Sequence, residues 1–163
     1  MSHPAAALRR AEVKDPPAMD PALHDDVTTR LRQTRQRYTP ARRALVELLH
    51  RLERPHTTQE LLDAEPSMSQ SSLYRNLAVL EQADVVRRLT GSDDAARFEL
   101  AEDVTGDHHH HLVCTTCSTI EDIEVDPAVE AAMHDAVDHA QSERGFATEF
   151  HRLELLGTCA SCR

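Results

Sequence analysis

The chain has 163 residues, is 40% hydrophobic but only 3% aromatic with no Trp, and carries a formal net charge of −10. That length allows one ordinary domain or two small ones, with a core built on Leu, Val and Ala rather than on rings. No apolar run is long enough to span a bilayer, and "MSHPAAALRRAEVKD" has acids where a signal peptide needs an apolar stretch, so a cytoplasmic protein without membrane contact is expected.

The net charge conceals an asymmetry. Between Arg30 and Arg54 the chain carries Arg30, Arg32, Arg35, Arg37, Arg42, Arg43, Arg51 and Arg54 against Glu47 and Glu53. From Glu99 to Glu149 acids dominate and Arg144 is the lone base. Halves this different point to two domains with different partners, so the average charge does not exclude DNA.

Residues 1–22 are Ala- and Pro-rich without periodicity and read as a flexible extension. Residues 23–102 read as a winged helix-turn-helix domain. A helical stretch near Asp25–Gln36 leads to "YTPARRALVELLHRL", where Thr39 caps and Pro40 takes the first helical position. Ala44, Leu45, Leu48, Leu49 and Leu52 make its apolar face. In "HTTQELLDAEP", Thr57 and Glu60 have capping-box spacing and Pro66 ends a short helix. "SMSQSSLYRNLAVLEQADV" makes a third helix, with Leu73, Leu77 and Leu80 on one face and hydroxyls at its start. "VVRRL", a turn at "TGSDD", and "ARFEL" make a β-hairpin. In such a fold the later helix enters the major groove and basic residues hold phosphates. A helical packing module without DNA is the alternative.

Residues 103–163 read as a small α/β unit, which makes the whole chain α+β. "HLVC" and "TIEDIEV" are strands, and "DPAVEAAMHDAVDHAQSER" is a helix capped by Asp126, with Pro127 at its first position and Gly145 as its stop. "ATEFHRLELLGTC" alternates as a final strand. A sheet this small often completes its core by dimerisation.

Cys114-x-x-Cys117 and Cys159-x-x-Cys162 are two knuckles that can complete a tetrahedral four-cysteine zinc site, with disulfides, free thiols or a redox pair as alternatives. Neither pair opens a helix after a strand, which weighs against the redox pair. "DHHHHLVCTTC" sets four histidines ahead of the first knuckle. On an extended segment alternate side chains face opposite ways, so His109 and His111 share one face and His108 and His110 the other. That arrangement suits two sites, completed from His56, Glu99, Asp122, Glu130 and His151. A solvated His tract is the bland alternative. Imidazole with carboxylate suits Fe(II), Mn(II), Zn(II), Co(II) or Ni(II).

"RYTPARRALVELL", "SSLYRNLAVLEQADVV", "RFEL", "HHHHLVCTTC", "HRLELLGTC" and the closing Cys-x-x-C occur in order, and over about residues 25–163 they resemble the ferric-uptake-regulator (Fur) superfamily of bacterial metal-dependent repressors. The resemblance implies a homodimer, each subunit with an N-terminal winged helix and a C-terminal α/β dimerisation domain. It implies structural Zn2+ on the four cysteines and a regulatory Fe2+, Zn2+ or Mn2+ at a hinge formed by His56, Glu99, His109, His111 and Asp122. It also implies an additional site of His108, His110, Glu130 and His151. Tyr74 and Arg75 match the recognition-helix pair, and Ser71, Ser72 and Arg37 join them as DNA-contacting candidates.

Three departures stand out. Ser118 follows the second Cys where the family usually has Gly, and the connector "AEDVTGD" is longer than usual. The last helix is about one turn longer, which leaves His134 or Asp138 as substitutes for Glu130. Zinc-regulating relatives tend to place Cys where Glu99 stands and peroxide-sensing relatives use Asp, so the harder oxygens here fit Fe(II) or Mn(II). The expected function is an Fe(II)-responsive repressor of metal-uptake genes on double-stranded operator DNA. A zinc-uptake regulator comes second and a peroxide sensor third. A metal-dependent hydrolase or a metal buffer is the reading from another class. No phosphate loop, nucleophile elbow or His-Glu-x-x-His accompanies the cluster, so no enzyme and no small-molecule substrate are expected.

Overall fold

A computed structural model describes residues 20–163. Residues 1–19 of the expected extension lie outside the described residues, and Pro21 and Ala22 already belong to a helix. That helix, α1 (Pro21–Gln33), starts earlier than expected because Asp20 caps it, accepting from the Ala22 amide at 2.9 Å. It also stops short of Gln36, where Arg35 turns left-handed. Then follow α2 (Pro40–Leu52), β1 (His56–Thr57), α3 (Thr58–Ala64) and α4 (Gln70–Gln82). Helices α2 and α3 start where their caps predict, Thr39 for α2 and Thr57 with a full capping box to Glu60 for α3, and α4 starts within the hydroxyl-rich stretch, where Ser69 caps it. On α2, Leu45, Leu48 and Leu49 are buried, but Ala44 lies exposed at one flank while Val46 is buried at the other.

The hairpin is β2 (Val86–Thr90) and β3 (Ala96–Leu100), and β1 adds a third strand in the order β1-β3-β2. A strand of only His56 and Thr57 is too short for any periodicity to reveal. Val86, Phe98 and Leu100 on one face of this sheet join the leucines of α1 to α4 in the main core. The opposite face, with Arg87, Leu89, Arg97 and Glu99, meets the second half of the chain, so β3 is buried on both sides.

The connector folds into the single turn α5 (Glu102–Thr105), followed by β4 (His110–Cys114), β5 (Ile120–Ile123), α6 (Pro127–Arg144) and β6 (Glu154–Gly157). The second sheet has the order β5-β4-β6, with β4 antiparallel to β5 and parallel to β6. The final strand is much shorter than its alternation predicts. His111 pairs with Glu154 and its amide donates to the Leu153 carbonyl at 3.2 Å, but upstream of His110 the chain leaves the strand, so the pairing reaches no further back.

The two sheets meet through a small buried cluster of Leu89, Val113 and Ile120. Beside it the wing turn is fastened to the first knuckle. Ser92 Oγ donates to the Cys114 carbonyl at 3.0 Å and lies 2.7 Å from Ser118 Oγ. Ser118 is buried and left-handed at φ 61, the conformation that favours the family's usual Gly, and its hydroxyl gains this contact in return. Ser92→Ala should lower the unfolding free energy by about 1 kcal/mol and speed amide exchange in the wing turn before the rest of the chain. Unchanged exchange at residues 90–95 would show that the fastening holds nothing.

Candidate metal centre

Three donor clusters hang on β4 and its flanks, and in each the candidate ligand atoms lie within 4.8 Å of one another. The first joins Glu99 of β3 to His109, His111 and Asp122. Nε2 of His111 stands 3.3 Å from Glu99 Oε2 and 3.7 Å from Asp122 Oδ1, and Nε2 of His109 stands 3.5 and 3.9 Å from the same atoms. Donors around one ion at ordinary metal–ligand lengths sit about 3.0–3.5 Å apart, so the cluster is close to binding dimensions. Glu99 and His111 are buried, and Glu99 Oε1 and His111 Nδ1 have no hydrogen-bond partner among the described residues. Buried acceptors that converge in this way need protons or a cation between them. A 540 Å3 cleft lined by Glu53, Arg54, Glu99, His109 and Asp122 leads to the cluster.

Electrostatics follow from that crowding. Burial pushes the Glu99 carboxyl up, but the His109 and His111 imidazoles outweigh it and hold it below its ordinary value. Glu99 in turn raises His109 to about 9, while burial raises Asp122.

The structure does not bring His56 into this cluster. His56 lies opposite Phe98 in the β1–β3 register, so its side chain points to the core face of the sheet while Glu99 points to the other. Its Nδ1 lies 2.6 Å from the Arg54 carbonyl, and burial lowers its pKa.

The second cluster takes His108, His110, Glu130 from α6 and His151 from the segment before β6. Glu130 Oε1 is 2.5 Å from His110 Nε2 and 3.1 Å from His108 Nε2, and Glu130 Oε2 is 3.3 Å from His151 Nε2. Glu130 therefore holds the place for which His134 and Asp138 were substitutes, although the His134 ring lies 5.4 Å from that of His151. Sequence reasoning missed Glu102, whose Oε2 is 2.5 Å from His108 Nδ1. Its only signal is a carboxylate in the overlong connector.

The third cluster is Cys114, Cys117, Cys159 and Cys162, all free thiols. Cys117 and Cys159 sulfurs stand 3.7 Å apart. A disulfide needs about 2.0 Å, whereas the edge of a zinc–thiolate tetrahedron with bonds of about 2.3 Å is about 3.8 Å. Amides favour the thiolate of Cys114: the N–H of Cys159 first, then those of Cys117 and Thr116, bring it down to about 6. Cys162 is pushed up to about 12, chiefly by Cys117. Four sulfurs at this spacing ionise together only around a cation. Thr115 donates to the Gly157 carbonyl at 2.7 Å and so aligns the second knuckle with the first.

On α4, Ser71, Tyr74 and Arg75 are exposed and Ser72 is half-buried, opposite the buried Leu73, Leu77 and Leu80. Tyr74 Oη lies 3.1 Å from Thr58 Oγ1, and Arg75 Nε donates to the Ser71 carbonyl at 3.1 Å. Arg37 is exposed, with its carbonyl held by Arg42. Other arginines of the basic stretch serve the fold: Arg30 donates to the Asp84 and Asp103 carbonyls, each at 3.1 Å, and Arg54 pairs with Glu60 at 3.2 Å.

Residues 33–156 match the model of the ferric uptake regulator family. The chain belongs to that family. It is 27% identical over 143 residues to the ferric uptake regulation protein of Bacillus subtilis, covering 85% of this chain and 93% of that protein. With the peroxide operon regulator of the same organism it shares 32% over 139 residues, covering 81% of this chain and 88% of that one. The fold matches the Helicobacter pylori ferric uptake regulator Fur, with a TM-score of 0.66 at 21% identity over 86% of this chain and 91% of that one. Family members are metal-dependent transcription regulators, not enzymes. No helix among the described residues is long and apolar enough to cross a membrane.

Metal binding to the Glu99 cluster at pH 7.5 should displace the proton that Glu99 holds on His109, whose pKa of about 9 keeps it protonated there. Titration calorimetry in buffers of different ionisation enthalpy should therefore register proton release, and release near zero would place the ion elsewhere. In the metal-free protein the stabilisation from this pair is fully present between 4.5 and 6.5, the unperturbed carboxyl and imidazole values, and is lost as pH rises towards about 9. Cys114→Ser should lose bound zinc and cooperative unfolding together. A zinc-free variant that melts like the parent would refute a structural ion.

Proposed function

We propose that the protein is a homodimeric transcriptional repressor that grips operator DNA when the Glu99–His109–His111–Asp122 cluster takes up Fe(II). One observation carries this reading: Glu99 belongs to the wing sheet, whereas His109, His111 and Asp122 belong to β4, its flank and β5. An ion held by all four cross-links the sheets and so fixes the winged half against the other half. Its effect on that arrangement equals its differential affinity for the arrangement it favours. Donors of two imidazoles and two carboxylates suit Fe(II) or Mn(II) better than a site offering thiolate. His56 joins the ligand set if the core face of β1 opens towards the cluster.

Around this sensor the other parts take their roles. Zn2+ on the four cysteines holds the end of the chain to β4. Residues 23–102 act as the DNA-binding domain and 103–163 as the dimerisation domain. Dimerisation accounts for β6 as an edge strand, for Phe146, Phe150, Leu155 and Leu156 lying exposed, and for the lack of any buried residue on α6. Tyr74, Arg75, Ser71 and Ser72 on α4 face the major groove, with Arg37 towards the phosphates. A cytoplasmic location fits an Fe(II)-dependent DNA binder.

The test selects duplexes from a randomised library with metal-loaded protein, then measures their binding by anaerobic fluorescence anisotropy with Fe(II), Mn(II) or Zn(II). Fe(II) should raise DNA affinity by at least about tenfold. A rise with Zn(II) alone would favour a zinc-uptake regulator, and loss of binding on peroxide treatment a peroxide sensor. No metal-dependent binding with any ion would sink the repressor reading. His111→Ala should keep the dimer but lose the Fe(II)-dependent gain. Arg75→Ala should weaken DNA binding about tenfold or more with metal binding intact.

A further inference from the structure

The connector between the wing sheet and β4 carries a carboxylate that the three clusters do not use. Glu102 is the first residue of α5, and its side chain is only 13% exposed. Both of its oxygens are engaged: Oε2 accepts from His108 Nδ1 at 2.5 Å, and Oε1 accepts from Arg87 Nη1 at 3.0 Å. We propose that Glu102 is a positioning residue of the His108–His110–Glu130–His151 cluster. It fixes His108 in the Nδ1–H tautomer with the Nε2 lone pair turned to an ion, and it fastens that ligand to the wing through Arg87. The proposal rests on reading this cluster as a metal site.

A neutral imidazole has one donor and one acceptor nitrogen, so a carboxylate on Nδ1 decides that Nε2 is the ligand. Nε2 of His108 stands 3.1 Å from both His151 Nε2 and Glu130 Oε1, and those atoms also offer lone pairs. Burial alone does not hold this ring. The side chain of His108 is 40% exposed, against 2% for His110, 23% for Glu130 and 17% for His151. The most exposed ligand of the set is the one with a carboxylate behind it, and Glu102 supplies the restraint that packing supplies to His110.

Arg87 extends the link. It lies on β2 directly across from Glu99, and its guanidinium sits 5.2 Å from the ring centroid of Phe150, the residue before His151. One wing arginine thus braces His108 through Glu102 and the segment of His151 through Phe150. Ion affinity at this cluster and the seating of β2 are therefore coupled, and the coupling is reciprocal.

Full-length His111→Ala protein, with the Glu99 cluster disabled, is titrated with Co2+ and followed by visible absorption. Glu102→Gln keeps an acceptor oxygen but loses the charge. It should weaken Co2+ binding about 10–100-fold and shift the d–d spectrum. Glu102→Ala should weaken it further, and Arg87→Gln less than either. The thiolate-to-cobalt band of the cysteine cluster should not move, which separates positioning from general loss of structure. If the Glu102 variants bind Co2+ like the parent while His151→Ala does not, Glu102 positions nothing and the proposal falls. If His151→Ala also binds like the parent, the cluster is not a metal site and the underlying reading falls with it.

Discussion

A pleated strand cannot send neighbouring side chains to the same side, and the division of the four histidines and the facing of Glu99 depend on that constraint. Four consecutive histidines run into β4, so they divide into two pairs, and each pair meets a carboxylate from a different direction. His109 and His111 turn to Glu99 on the wing sheet, while His108 and His110 turn to Glu130 on α6. Cys114 closes the strand and starts the third cluster. The same alternation operates on β3, where Phe98 enters the helical core and Glu99 faces the second sheet. It also keeps His56 out: paired with Phe98, the imidazole is committed to the core face.

What the sequence reveals is what depends on local spacing. Caps at Thr39, Thr57 and Asp126, the two Cys-x-x-C knuckles and the division of the histidines are legible because each involves residues a few positions apart. The longer helix still sets Glu130 beside His108, His110 and His151. What the sequence hides depends on pairing across distance. β1 exists only because β3 offers it an edge, and the pairing of β6 starts at Glu154 because β4 itself starts at His110. The connector shows no helical period, since one turn is too short to carry one, so Glu102 goes unread. Ser118, visible in the sequence only as a missing Gly, becomes intelligible once Ser92 is seen beside its hydroxyl.

The acidic balance of the chain has a local meaning at these clusters. Glu99 and Glu130 each face imidazoles and have no Lys or Arg partner among the described residues, so a metal-free molecule must hold protons between acceptors. Such a pair offsets the cost of burial by its own attraction, since Glu99 is lowered and His109 raised despite desolvation. It is well suited to a divalent ion, which satisfies both carboxylate and imidazole and releases the proton. Where arginines do neutralise acids, at Arg30–Asp26, Arg43–Glu47, Arg54–Glu60, Arg87–Glu102, Arg97–Asp93 and Arg152–Glu154, the acid lies outside the three clusters. The division separates groups that hold the fold from groups kept available for a ligand.

The contact between the halves explains why an ion can matter to their arrangement. The main core joins eighteen buried residues, whereas the cluster between the sheets joins only Leu89, Val113 and Ile120. At about 1.5–3 kcal/mol for each fully buried side chain, that apolar contact amounts to several kcal/mol. The links beside it are polar and few: Ser92 to Ser118 and to the Cys114 carbonyl, Glu102 to His108, and Glu99 to the two histidines. A tenfold difference in ion affinity between two arrangements is about 1.4 kcal/mol, and a hundredfold difference twice that. Such an ion contributes a sizeable fraction of the contact between the sheets and only a small one of the core, so binding can change how the halves sit without unfolding either. A larger apolar interface would hold the two sheets together whatever the cross-sheet cluster carried; the small one leaves their arrangement open to what that cluster binds.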